Sequence, residues 1–105
     1  MAETFDSIDG DLHHLFLEAE KFEQKGELRK AFKALSTAAS KGHLWSQLNL
    51  GHFSANGTGV KKNLVAAEKL YKNIYRHGDS VGAQSLAIDY ERQGNDRQSI
   101  IWFAV

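Results

Sequence analysis

Ser46-Gln-Leu-Asn-Leu50-Gly51-His-Phe-Ser54-Ala-Asn-Gly57-Thr-Gly59-Val60-Lys-Lys-Asn-Leu-Val-Ala66-Ala67-Glu-Lys-Leu70-Tyr71 is the stretch that decides the fold. Apolar and small residues recur at three- and four-residue spacing on both sides of a glycine-rich break, which reads as helix, turn, helix. Asn56-Gly57 ends the first helix and Gly57-Thr58-Gly59-Val60 makes the loop. Asn63 is a candidate cap for the second, since its side-chain oxygen accepts from the free amides of a first turn.

The same plan extends outward. Leu12, Leu15, Ala19 and Phe22 form one stripe of a helix from about Leu12 to Lys25, broken at Gly26. Leu28, Ala31, Leu35 and Ala38 line the next, to about Lys41, where Gly42 stops it. The third helix, from about Leu44 to Ala55, turns Leu48 or Leu50 inward. Leu64, Ala67, Tyr71 and Ile74 supply the fourth stripe, and Ala83, Leu86, Ala87 and Tyr90 the fifth. Asp96 opens a sixth helix. Residues 1–11 read as a polar lead-in, with Asp9 or Asp11 as a cap. The expectation is an all-α domain over 12–105, in hairpins at about 12–41, 44–77 and 80–105.

Self-comparison strengthens this reading. A shift of 36 residues pairs Ala31 with Ala67, Gly42 with Gly78 and Leu50 with Leu86. A shift of 68 pairs Phe22-Glu23 with Tyr90-Glu91, Gly26 with Gly94 and Arg29 with Arg97. The two shifts agree if the middle hairpin has the longer loop. One helical hairpin cannot bury its own apolar face, so repeats of this length stack to make a continuous core.

With these residues the chain resembles the Sel1-like repeat family, relatives of the tetratricopeptide repeats. That family's pattern is Ala-x3-Leu-Gly-x2-Tyr-x2-Gly-x-Gly-Val, then Ala-x2-Trp-Tyr-x2-Ala-Ala-x2-Gly. Leu50-Gly51, Gly57-x-Gly59-Val60, Ala67-x2-Leu70-Tyr71 and Gly78 match it, while Ser46 stands for the first Ala and Ser54 for the Tyr. Ala31, Ala38-Ala39 and Gly42 match on one flank and Trp102-Phe103 on the other. The resemblance implies a right-handed α-solenoid of about three antiparallel hairpins, used as a protein-binding scaffold, and a bacterial source. It also implies that the first helix of each hairpin lines a concave face. Carried over, that geometry nominates Phe16, Glu20, Trp45, Leu48, His52, Gln84, Ile88 and Arg92 for contact with a partner protein or peptide.

Composition excludes several other classes. Lys+Arg 13 against Asp+Glu 13 gives no net charge, unlike the basic surface of a nucleic-acid binder. No apolar run reaches the roughly 18 residues of a membrane span. The start of the chain carries Glu3, Asp6 and Asp9 and no basic residue, unlike a secretory signal, so a cytoplasmic location is expected. With Cys 0 there is no disulfide or thiolate metal site.

Each candidate chemical motif has a plainer reading. His13 and His14 point about 100° apart on a helix, and His43, His52 and His77 have no partner at ligand spacing, so no metal site is expected. His43 and His77 read instead as helix-terminal cations beside Gly42 and Gly78. Gly57-x-Gly59 with Lys61-Lys62 lacks the strand and the Gly-Lys-Ser/Thr ending of a phosphate loop, so a hairpin turn is the better reading. Asp6, Asp9 and Asp11 lack the alternation of a calcium loop, and Asn56-Gly57-Thr58 is a sequon without consequence inside a cell. No catalytic arrangement stands out, so a non-catalytic module without cofactors is expected. A small bacterial inhibitor or immunity-type protein that blocks an effector enzyme is the alternative.

The last residues stand apart. Ile100-Ile101-Trp102-Phe103-Ala104-Val105 is nearly devoid of polar side chains. Successive residues point about 100° apart on a helix, so one neighbour cannot cover them all. Either a longer repeat array continues here, or self-association through Ile101 and Trp102 covers the edge.

Overall fold

The computed structural model describes the backbone of residues 2–105 and side chains from Leu12 onward. Six helices follow one another: α1 (Ala2–Gln24), α2 (Leu28–Ser40), α3 (Leu44–Asn56), α4 (Leu64–Arg76), α5 (Val81–Arg92) and α6 (Asp96–Phe103). No strand occurs among the described residues. Each helix packs chiefly on the helices adjacent in sequence. The result is a slab of 44 × 35 × 17 Å, only about two helix diameters thick.

Five helix starts fall within a residue of the sequence reading, and one does not. α1 begins at Ala2 rather than near Leu12, so the expected polar lead-in is helical. Nothing in residues 2–11 forbids this, because there is no proline and Gly10 alone costs about 1 kcal/mol in a helix. The side chains of Asp6, Asp9 and Asp11, raised as cap and calcium ligands, lie outside the described residues. Elsewhere the punctuation is as expected. Gly57 closes α3 in the left-handed region at φ 73°, and the side chain of Asn63 accepts from Ala66 N at 3.0 Å to start α4. Asn95 Oδ1 does the same for α6, accepting from Gln98 N at 3.3 Å.

The stripes meet in two clusters. Ala19, Ala31, Leu35 and Phe53 form one, flanked by Phe22, Phe32, Ala34 and Leu50. Ala55, Ala67, Tyr71, Ile74 and Leu86 form the other, flanked by Leu44, Leu48, Leu64, Tyr90 and Trp102. α3 contributes to both, so it is buried on more than one side. Leu48 and Leu50, the two alternatives for its inward face, are both only half-buried, while Ser46, Gln47, Gly51, Phe53 and Ser54 are buried. Small residues at the helix crossings let the backbones close in. A Cβ on Gly82 would collide with the Tyr71 carbonyl and Tyr75 N of α4.

Candidate protein-binding groove

α1, α3 and α5 present their nominated residues unevenly. Phe16 is buried at 8% exposure, which corrects its nomination as a contact residue. Its ring stands edge-on to His43, with centroids 5.8 Å apart, and His13 lies 5.8 Å from both. Phe16 therefore ties α1 to the start of α3, and the aromatic energy is spent inside the chain.

His43 also departs from its sequence reading. Its Nδ1 accepts from Ser46 N at 3.2 Å and lies 2.7 Å from Ser46 Oγ, so it caps the N-terminus of α3 as an acceptor. A cation there would face the positive end of the helix dipole. His77, in contrast, sits at the end of α4 with Nδ1 2.7 Å from the Asn73 carbonyl, as a donor at a C-terminus should.

Trp45 is 65% exposed despite its size. Beside it Leu44, Trp45, Leu48, Ile74, Asp79 and Val81 line a cavity of about 100 Å³, with the Asp79 carboxylate as its charged member. That volume is far below the several hundred Å³ of a cofactor site and suits one aliphatic side chain. Leu48 is half-buried because it forms part of this wall. Two turns further along α3 and α5, His52 and Ile88 are exposed, as are Gln84 and Arg92 of α5 and Glu20 of α1.

A polar cluster that sequence reading missed lies beside His52. Tyr71 is fully buried, and its hydroxyl lies 2.9 Å from His52 Nδ1. Burial pushes the Tyr71 phenol far up and the nearby Asp89 charge adds to this, so the proton stays on and is available to Nδ1. Burial also holds the His52 imidazole below its ordinary range, opposed by Asp89 and helped by Arg92. Asp89 itself is buried, and its Oδ2 is shut off from solvent with no hydrogen-bond partner. Burial raises its carboxyl; Arg92, His52 and Lys62 oppose that rise and Glu68 adds to it. The residue 36 places earlier is Phe53, an apolar core position, so an acid here breaks the repeat's own pattern. That break was the available signal.

Between α2 and α4, a shallow cleft of about 520 Å³ has Gln47 among its lining residues. Gln47 donates to the Ala39 carbonyl at 3.2 Å and accepts from Asn73 Nδ2 at 2.6 Å, so its polar groups are occupied by the fold. No group of three or more potential metal ligands occurs among the described residues, and no described helix is long and apolar enough to cross a membrane. No protein-family model and no curated protein matches the chain.

Proposed function

We propose that this chain is a non-catalytic interaction module, a right-handed α-solenoid of the Sel1-like type that binds a protein or peptide across α3 and α5 in the cytoplasm. The observation that carries the reading is Trp45. A side chain of that size, 65% exposed beside an apolar cavity lined by Leu48 and Val81, is the form binding hot spots take. The internal repeat supports the stacked architecture, and the shared cavity of α3 and α5 supports a common binding face. In this reading the contact residues are Trp45, Leu48, His52, Gln84, Ile88 and Arg92, with Glu20 at the α1 end. Phe16 supports the face from beneath.

The test is selection of peptides that bind the full chain, followed by titration against Trp45→Ala and Ile88→Ala. Affinity that falls at both positions, in variants that melt like the parent, supports the groove. Ligands that ignore both substitutions put the binding face elsewhere. A second surface has its own observation: Ile100, Ile101, Phe103 and Val105 are all exposed at α6, which favours self-association there.

A further inference from the structure

Basic side chains gather on two of the six helices. α2 and α4 carry Arg29, Lys30, Lys33, Lys69, Lys72 and Arg76 against a single acid, Glu68, in a chain whose net charge is zero. Lys30 is drawn to Glu27 at 3.6 Å, whereas Arg29, Lys33, Lys69, Lys72 and Arg76 form no ion pair with any described residue. Glu68 does not offset them, because its charge is felt at Tyr90 and Asp89 and so lies on the α5 side of α4.

Helix geometry brings these cations together. Arg29 and Lys33 are four residues apart on α2, and Lys69, Lys72 and Arg76 are spaced by three and four on α4, so each set forms one row. Both rows point away from the core, since the buried stripes are Ala31, Leu35 and Ala38 on one helix and Ala67, Tyr71 and Ile74 on the other. Between the two helices lies the cleft of about 520 Å³. Leu50 and Leu70 give it apolar walls, Ser36, Ser40, Lys69 and His77 give it polar ones, and no Asp or Glu lines it. Lys33 stands one turn before Ser36, and Arg76 one turn after Asn73, which also lines the cleft, so cations flank the recess on both sides. None of its lining residues belongs to the cavity beside Trp45.

The chemistry of the recess narrows the occupant. Unpaired cations without nearby carboxylates attract a partner of opposite charge. No Phe, Tyr or Trp lines the cleft, so the bases of a nucleic acid would find no such ring to stack on. α2 exposes no large apolar side chain and α4 only Val65 and Tyr75, too little to insert into a lipid surface. A polypeptide suits both halves of the site, with carboxylates for the two rows and an apolar side chain for the walls of Leu50 and Leu70.

We propose that the α2–α4 face docks an acidic segment of a partner protein, one apolar side chain seated in the cleft and flanking Asp or Glu residues paired with Arg29 and Lys33 on one side and with Lys69, Lys72 and Arg76 on the other. This surface is separate from the groove around Trp45, and either can fail without the other.

Random dodecapeptides displayed on phage are selected on the full chain at low salt, and the enriched peptides are synthesised and titrated. One class should be rich in Asp and Glu around an apolar residue and should weaken as salt rises. Lys33→Glu with Lys69→Glu should weaken that class by about tenfold or more, and Lys33→Gln with Lys69→Gln less in the same direction. The same charge change on α1, Lys21→Glu with Lys25→Glu, should cost much less, which separates a local face from net charge. All four lysines are exposed, so the variants should melt like the parent. Enriched peptides without acidic bias, or acidic peptides that bind both charge-reversed proteins alike, overturn the inference. A short single-stranded DNA or a phosphatidylserine vesicle that binds more tightly than any selected peptide, and loses affinity on Lys33→Glu with Lys69→Glu, also overturns it by assigning the face to nucleic acid or lipid. Peptides that all depend on Trp45 and ignore Lys33 and Lys69 overturn it and leave the groove standing.

Discussion

Gly51 of α3 and Tyr71 of α4 meet without room for another carbon: a Cβ at position 51 would lie 2.5 Å from Tyr71 Cε1 and 3.0 Å from Cζ. Tyr71 cannot retreat, because it is fully buried and its hydroxyl is tied to His52. Gly51→Ala is therefore expected to destabilise the domain by about 1–3 kcal/mol, the usual cost of overpacking a close-fitted core. Tyr71→Leu, which installs the residue type found at the equivalent buried Leu35 of α2, should recover part of that loss in the double variant. Urea denaturation of the four proteins checks this, and additive effects of the two changes would show that the ring and the glycine do not oppose each other.

Asp89 and His52 should give the stability a pH dependence of opposite signs. Burial raises the Asp89 carboxyl above its ordinary 3.8, against the pull of Arg92, His52 and Lys62 and with the push of Glu68. The folded chain thus holds this proton longer than the unfolded chain does. Its contribution is full below the ordinary value and is lost as pH rises through the raised one. Asp89→Asn removes that loss, so its stability relative to the parent should improve as pH rises from the ordinary value through the raised one. His52 is held below its ordinary 6.5, so its contribution is present above that value and is lost as pH falls through the lowered one. Because Asp89 is the group that raises His52, Asp89→Asn should move the His52 titration midpoint further down. NMR titration of the imidazole reads this directly, and an upward move would contradict the proximity argument.

Much of the architecture was legible because glycines mark its corners. Gly26, Gly42, Gly57, Gly78 and Gly94 all take positive φ at helix ends, and between them the three- and four-residue spacing left little choice of which face to bury. α3 was less legible. A helix covered on several sides has no single stripe, and its burial of Ser46, Gln47 and Phe53 follows from neighbours that spacing within the helix does not reveal. The exposure of the nominated residues was partly legible for the same reason. Trp45, His52, Ile88 and Arg92 are exposed as the repeat geometry implied, whereas Phe16 packs on His43, a contact between residues 27 apart. Asp89 was passed over because an acid on an amphipathic helix is by habit assigned to solvent.

Trp45 offers the cleanest separation of binding from folding. At 65% exposure it contributes little to the core, so Trp45→Ala should change stability by no more than about 0.5 kcal/mol. Loss of partner affinity should be about 2 kcal/mol or more if the indole is the anchor of the groove. Calorimetric titration of a selected peptide and thermal melting of the same two proteins decide it. A variant that binds normally removes Trp45 from the interface.

The apolar edge of α6 is uncovered in a way the repeat itself makes measurable. Ala31, Ala67 and Ser99 occupy equivalent places on α2, α4 and α6, and all three are buried. Four residues on, Leu35 and Tyr71 are buried as well, each on a helix with another helix packed after it. Phe103 holds the same place on α6 and is 54% exposed, with Ile100 and Ile101 exposed beside it. Trp102 differs, since its ring stands edge-on to Tyr75 at 5.6 Å and anchors α6 to α4. A surface of this kind should drive two copies together, and a specific dimer should bury at least about 1,000 Å². Substitution must spare Trp102, so the informative variant is Ile101→Glu with Phe103→Glu. Sedimentation should show the parent associating with rising concentration and the double variant remaining monomeric. Both side chains are exposed, so the melting temperature of the dilute protein should scarcely move. A parent that stays monomeric at millimolar concentration would mean that this edge is tolerated in water and that α6 does not mediate self-association.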